Sequence, residues 1–169
     1  NCIKSRGKLI TSGVGKSGIV ARKIAATFSS VGLMSIYLNP LDAFHGDLGL
    51  VSKNDVCILL SNSGETLELK KLLPHFKIRG NPCISIVGEE DSTIAKSSDS
   101  FLIARVNKEV CPLNLAPTAS TAVSMAIGDA LAVVWMERRN ISQHDFALNH
   151  PGGILGKKLT FPSKFYLLI

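Results

Sequence analysis

The chain has 169 residues, a formal net charge of +6 and 46% hydrophobic residues. This length and apolar content are enough for one buried core, so we expect one domain. The basic residues occur as scattered pairs, such as Arg22-Lys23 and Lys157-Lys158, and aromatic residues make up only 6% of the chain. Because base stacking needs aromatic side chains, the composition argues against a nucleic-acid partner.

The four cysteines include no Cys-x-x-Cys pair, and two of them lie inside apolar, strand-like runs. Free thiols in a reducing cytoplasm fit this pattern, so we expect a cytoplasmic protein. The most apolar stretch runs from Ala122 to Met136 but contains Asp129. It is shorter than the ~20 clean apolar residues that a bilayer requires, so we expect no membrane span.

Five short apolar runs alternate with longer helical patterns and are predicted as β-strands buried on both faces. They are Lys8–Ser12, Met34–Leu38, Val56–Ser61, Cys83–Val87 and Phe101–Val106. Apolar residues at helical spacing predict helices over Lys16–Val31 and Glu65–Arg79, each followed by a glycine. The alternation predicts a single α/β domain of the flavodoxin-like or Rossmann-like type, with a five-stranded parallel sheet between two helical layers.

A third long helix is predicted over Thr118–Arg139, after Pro117, with Thr118 as its N-cap. Its residues are apolar or small nearly all round, and such a helix has to be covered. We therefore expect another subunit to pack on it.

The first glycine turn, Gly13-Val14-Gly15-Lys16-Ser17-Gly18, follows the first strand and opens the first helix. It matches the GxGxxG dinucleotide fingerprint, which also needs an acidic residue about 20 positions later to hold the ribose. Leu38-Asn39-Pro40 stands there instead, and Ile10 occupies the position of the first glycine of a Walker A loop. A dinucleotide site is therefore weakly supported, and a turn required only for packing is the other alternative.

The second turn, Ser61-Asn62-Ser63-Gly64-Glu65-Thr66, places three hydroxyls and several backbone N–H groups at one helix N-terminus. That combination suits a phosphate monoester. The alternative, in which the hydroxyls only cap the helix, stays open. Glu65 would repel a phosphate, so we expect its side chain to point away from the bound anion.

This second turn resembles the Ser-x-Ser-Gly-x-Thr phosphate loop of sugar isomerase (SIS) domains. Four other stretches resemble, in chain order, the D-arabinose 5-phosphate isomerases: Gly13–Gly18, Ala43–Gly49, Lys108–Thr118 and Asn149–Gly153. The resemblance covers about residues 8 to 159. It implies a SIS isomerase domain over residues 1–159, followed by a C-terminal tail over 160–169 in place of the CBS modules usual in that family.

The resemblance implies an aldose–ketose isomerase that interconverts D-ribulose 5-phosphate and D-arabinose 5-phosphate for Kdo and lipopolysaccharide biosynthesis. It also implies a cytoplasmic homo-oligomer, expected to be a tetramer. Its catalytic positions carry over onto Lys16, Glu68, Glu109 and His150. Its substrate-binding positions carry over onto Ser17, His45, Ser61, Asn62, Ser63 and Thr66.

Such an isomerisation moves a proton between C1 and C2 through an enediol, which needs a base over the carbons and donors near the oxygens. It requires no metal or redox cofactor, so we expect none. We hypothesise that Glu109 is the base, in a partly apolar pocket that raises its pKa. His150 is the other candidate, because imidazoles ordinarily titrate near neutral pH. Lys16 would offer a positive charge to the phosphate or the enediolate.

Two residues have alternatives. Glu68 lies within reach of Lys71 on the same helix, so an exposed ion pair is a competing interpretation. His45 and Asp47 alternate as metal ligands do, and with Glu109 and His150 they would form an adventitious zinc site.

Two other functions are considered. One is a non-catalytic sugar-phosphate sensor, which needs only the phosphate loop. The other is a SIS protein that isomerises or amidates hexose phosphates, which would lack the His150-Pro151-Gly152-Gly153 turn. The presence of Lys16, Glu109 and His150 favours catalysis on a pentose phosphate.

Overall fold

The computed structural model describes residues 7–153. Its five strands are β1 (Leu9–Gly13), β2 (Ser35–Tyr37), β3 (Val56–Ser61), β4 (Cys83–Val87) and β5 (Ser100–Ile103). All neighbouring strands are parallel, in the order β2-β1-β3-β4-β5. The predicted five-stranded parallel sheet is confirmed.

The helices are α1 (Gly15–Ser30), α2 (Pro40–Ala43), α3 (Leu67–Arg79), α4 (Thr93–Ser97), α5 (Ala119–Arg139) and α6 (Gln143–Leu148), with a 3₁₀ turn at Asp47–Leu50. The three long predicted helices are confirmed, with ends displaced by one or two residues. The shorter elements were not predicted, because a helix of one or two turns shows no measurable period.

Side chains from one strand enter two separate cores, as a doubly covered parallel sheet requires. Cys57 and Leu59 of β3 pack with the apolar face of α3. The alternate residues Ile58 and Leu60 pack with α1 on the opposite face. The predicted three-layer αβα architecture is therefore confirmed.

The expectation that all five strands are buried on both faces is wrong at the edges of the sheet. In β5, Ser100, Phe101 and Ile103 are exposed, and all three residues of β2 are only half-buried. The last strand also ends at Ile103 rather than at Val106. An edge strand has one neighbour, and its apolar composition alone does not distinguish it from a central strand.

Helix α5 packs on α1 through a glycine, and no other element within residues 7–153 covers most of its surface. A Cβ at Gly128 would overlap Ile24, so the two helices approach closely there, and Lys23 pairs with Asp129 beside the contact. Only Ser120, Gly128 and Ala132 of its 21 residues are buried. By length and hydropathy α5 would also pass for a membrane span, but its fit on α1 and its ion pair identify it as a helix of this domain.

Candidate phosphate turn and catalytic residues

The second turn forms a compact loop between β3 and α3, as predicted. Ser61 is buried, and its Oγ lies 2.7 Å from Thr66 Oγ1 and accepts a hydrogen bond from Gly64 N at 3.0 Å. Thr66 is the N-cap residue of α3, yet its side chain makes no capping hydrogen bond. The alternative in which Ser61 and Thr66 only cap the helix is therefore not supported. The first N–H groups of α3 keep their capacity to bind an anion.

The turn requires glycine at Gly64. Its φ is +65°, a left-handed conformation, and a Cβ there would overlap the Ser92 side chain. The second turn is thus pressed against the loop that follows β4. Its backbone is shaped by that contact as well as by its own hydroxyls.

Gly64→Ala is expected to destabilise the domain by at least about 2 kcal/mol, because a left-handed alanine and an overpacked contact each cost about 1 kcal/mol or more. Gly80→Ala is the matched control, since Gly80 has φ +75° with no atom within 4 Å of an added Cβ. It should lose only the conformational part. Urea unfolding of both variants measures the difference, and equal losses would show that the Ser92 contact is unimportant.

Glu65 points away from the turn, as expected. Its carboxylate accepts hydrogen bonds from Thr93 N (2.6 Å), Thr93 Oγ1 (3.0 Å) and Lys70 Nζ (2.8 Å). The Lys70 ammonium, followed by the Thr93 donors, lowers the pKa of Glu65 to about 2. The carboxylate therefore stays charged and satisfied by groups outside the proposed phosphate site.

The first glycine turn lies at the carboxyl end of β1, beside the second turn, because Gly13 pairs with Leu60 of β3. A Cβ at Gly18 would come within 2.7 Å of Gly13 O, which also accepts a hydrogen bond from the Tyr37 hydroxyl at 2.8 Å. The glycine is thus needed for close packing of α1 on β1. Lys16 is exposed and Ser17 half-buried at the start of α1, on the edge where ligands bind in such sheets.

Glu109 binds the N-terminus of α5. Its Oε2 accepts hydrogen bonds from Thr118 N (2.8 Å), Thr118 Oγ1 (3.0 Å) and Ser120 N (3.2 Å), and its Oε1 accepts from the Ser120 hydroxyl. The Ser120 hydroxyl and then the Thr118 N–H lower the pKa of Glu109 to about 2. The expected rise of this pKa is wrong in the single chain, because helix N-terminal donors surround the carboxylate in place of an apolar pocket.

Thr118 is the N-cap residue of α5, as predicted, but its own side chain does not cap the helix. The hydroxyl instead accepts from Val110 N at 2.9 Å and donates to Glu109. The side chain that caps α5 lies nine positions earlier in the sequence, which no local capping rule predicts.

His150 lies near the C-terminal end of α1, at the amino ends of the strands rather than at their carboxyl ends. Its Nδ1 is 2.8 Å from Phe146 O, and its ring stacks on Phe146 at a centroid distance of 3.9 Å. Its neighbour Asn149 donates to Ser30 O at 3.4 Å, at the last residue of α1. Because α1 has 16 residues and a helix rises 1.5 Å per residue, Lys16 lies about 20 Å away. One chain therefore does not bring His150 to the second turn, Ser61–Thr66, which we call the phosphate turn.

The two remaining predicted site residues, Glu68 and His45, lie in different parts of the domain. Glu68 is half-buried in the first turn of α3, close to the phosphate turn, and within residues 7–153 it forms no ion pair with Lys71. His45 is exposed, and its backbone N–H donates a hydrogen bond to Asp42 O at 2.9 Å within its own loop. None of the contacts described for His45 joins it to the phosphate turn.

The adventitious zinc site considered above is not formed by the described residues. Among the described residues, no three His, Cys, Asp or Glu side chains converge on a point that could hold a metal. The predicted boundary at residue 159 and the tail over 160–169 lie outside the described residues.

A family model for the SIS domain matches residues 2–134. The chain belongs to the SIS-domain family. This SIS domain is 47% identical over 157 residues to arabinose 5-phosphate isomerase KdsD of Pseudomonas aeruginosa, covering 93% of the chain and 48% of that relative. It is 49% identical over 154 residues to KdsD of Escherichia coli K12, covering 91% and 47%. The chain thus spans about half the length of the curated relatives it matches.

Solved structures agree with this assignment. The Escherichia coli CFT073 protein c3406, in complex with arabinose 5-phosphate, matches with a TM-score of 0.83 at 46% identity, over 86% of this SIS domain and 78% of that chain. A Bacteroides fragilis protein described as a phosphosugar isomerase involved in capsule formation matches with a TM-score of 0.85 at 43% identity, over 89% of this chain and 79% of that chain. This SIS domain therefore shares its overall fold with a protein solved in complex with arabinose 5-phosphate.

Proposed function

We propose that this chain is the isomerase domain of an aldose–ketose isomerase that interconverts D-ribulose 5-phosphate and D-arabinose 5-phosphate through an enediol. The observation that carries the proposal is the phosphate turn Ser61–Thr66, in a chain 46% identical to a protein solved in complex with arabinose 5-phosphate. The curated relatives are named as isomerases, so the sensor alternative is not favoured. As in those relatives' curated names, the product would be arabinose 5-phosphate, here proposed to feed Kdo and lipopolysaccharide biosynthesis.

The substrate phosphate is proposed to bind at the second turn, with Ser61, Asn62, Ser63 and Thr66 around it and Ser17 facing it from the first turn. Asn62 and Ser63 are exposed, and the N-terminus of α3 supplies N–H donors and a positive dipole end. A phosphate held there would leave the sugar carbons extending along the carboxyl edge of the sheet.

Glu109, Glu68, Lys16 and His150 are proposed as the catalytic groups. The low pKa of Glu109 keeps it ionised, as a proton acceptor must be, but it also makes the carboxylate a weak base. Proton transfer between neighbouring carbons needs a base and donors only, so the proposal includes no cofactor. Lys16 would stabilise negative charge on the phosphate or the enediolate.

The site is proposed to be completed by a second copy of the chain in a cytoplasmic homo-oligomer, with the tetramer as the expected size. Two observations support this. Met125, Val133 and Val134 are exposed on α5, whose uncovered apolar face suits a subunit contact. His150 lies about 20 Å from Lys16 in its own chain, so a neighbouring chain would have to supply the imidazole to the site; His45 is proposed to line the same shared site.

The function is tested by incubating the protein with D-ribulose 5-phosphate in heavy water and following the proton NMR spectrum. Arabinose 5-phosphate signals with deuterium at C2 are expected, because the enediol step exchanges that proton with solvent. D-ribulose without phosphate is the control and should react far more slowly. If the substrate stays unchanged while a thermal shift shows that it binds, the protein is a non-catalytic sugar-phosphate sensor and the isomerase proposal is wrong.

A further inference from the structure

The loop after β4 holds the phosphate turn from outside the proposed ligand site. We use the name bracing loop for residues 88–94. Two backbone hydrogen bonds join this loop to the turn, from Gly88 N to Asn62 O at 2.8 Å and from Ile94 N to Gly64 O at 3.1 Å. The contact of Ser92 with Gly64 lies between these two bonds. The position of the turn therefore depends on a segment that is remote from it in sequence.

Glu65 makes the only side-chain hydrogen bonds described between the turn and the bracing loop within residues 7–153. Both of its oxygens accept from Thr93, and Lys70 of α3 binds Oε2 on the other side. The carboxylate thus joins three elements: the turn, α3 and the N-terminus of α4. Charge-assisted hydrogen bonds of this kind are short and directional, which suits them to fix a backbone.

We propose that Glu65 is a positioning residue, whose carboxylate clamps the phosphate turn onto the bracing loop and so holds the N–H groups at the start of α3 in place for the substrate phosphate. The proposal rests on phosphate binding at this turn. Glu65 does not touch the substrate and acts through the turn backbone. Exposed ion pairs add little to global stability, so the clamp should be visible in ligand binding rather than in folding.

A competing interpretation of Glu65 predicts the opposite change in phosphate affinity. If Glu65 were only a negative charge near a phosphate site, its removal would tighten the binding of an anion. If it is a clamp, its removal loosens the turn and weakens binding. A variant that breaks the clamp without changing any charge separates the two effects.

Thr93→Pro is that variant. Thr93 is the first residue of α4, where proline is well tolerated, and Ser92 before it has extended backbone angles that a following proline allows. Proline removes both the N–H and the hydroxyl that Glu65 accepts, while Glu65 and Lys70 keep their charges. Thr93→Val removes only the hydroxyl and gives an intermediate case. Lys96→Ala, which removes an exposed charge from the same helix, is the matched control.

The experiment measures the Kd for inorganic phosphate by calorimetry, and KM and kcat for D-ribulose 5-phosphate, in wild type and variants. Glu65→Ala and Thr93→Pro are each expected to raise Kd and KM about tenfold, with kcat within about twofold and Tm nearly unchanged. Lys96→Ala should match wild type. An unchanged Kd in Thr93→Pro, or tighter phosphate binding in Glu65→Ala, overturns the clamp.

Failure of the proposed function is recognised separately. If wild type binds inorganic phosphate but does not isomerise the sugar, the isomerase proposal fails, and the Kd values still decide the clamp. If wild type binds no phosphate at all, both proposals fail.

Discussion

Glu109→Gln is expected to lower kcat/KM for D-ribulose 5-phosphate by about 10² to 10⁴, the usual contribution of a positioned acid or base. The glutamine carbonyl can still accept hydrogen bonds from Thr118 N and Ser120 N, so the cap of α5 is retained while the proton acceptor is lost. Steady-state kinetics measure the loss, and circular dichroism checks that the fold is intact. Glu137→Gln, which removes one charge from the exposed far end of α5, is the control.

The same variant tests what the low pKa of Glu109 means. Because this pKa is about 2, the carboxylate is charged over the whole range in which the enzyme would be assayed. The ratio of wild-type to variant activity should therefore be constant between about pH 6 and pH 9. If Glu109→Gln lowers kcat/KM by less than about fivefold, Glu109 is not the base and another residue takes that role.

A mixture of two inactive variants, Lys16→Ala and His150→Ala, is expected to regain activity. Each variant alone should lose at least about 100-fold, since each lacks one proposed catalytic group. If a site combines Lys16 of one chain with His150 of its neighbour, random pairing in a closed dimer leaves about one quarter of the sites intact. The two variants are co-expressed, and native mass spectrometry establishes that mixed oligomers form.

The matched control mixes Lys16→Ala with Glu109→Gln. Lys16 follows β1 and Glu109 follows β5, and the carboxyl ends of parallel strands lie on the same side of a sheet, so Lys16 and Glu109 are expected to serve the same site from one chain. That mixture should remain inactive. If the mixture of Lys16→Ala with His150→Ala also stays inactive although mixed oligomers form, the shared site is wrong.

The sequence predicts the central sheet and the strand-to-helix turn Ser61–Thr66 well, because both depend on local patterns. Apolar runs bounded by turns identify β1, β3 and β4, and the hydroxyls of Ser61 and Thr66 identify the strand-to-helix turn. The burial of β5 could not be predicted in the same way. It depends on which strand becomes the edge of the sheet, and this is decided by tertiary packing.

The electrostatics of the site depend on contacts between distant residues. Glu109 meets Ser120 only because the loop between them folds back, and Glu65 meets Thr93 across 28 positions of sequence. Both contacts lower a pKa, and neither leaves a pattern in the sequence. The position of His150 likewise follows from how α5 and α6 run past α1, which periodicity does not reveal.

The uncovered face of α5 has a thermodynamic consequence. If assembly covers that face and completes each site, folding, association and substrate binding are linked equilibria. Dilution would then lower the turnover per chain as well as the melting temperature, and a saturating sugar phosphate would restore both. The helix that leaves the domain with exposed apolar surface would thus make catalysis depend on protein concentration.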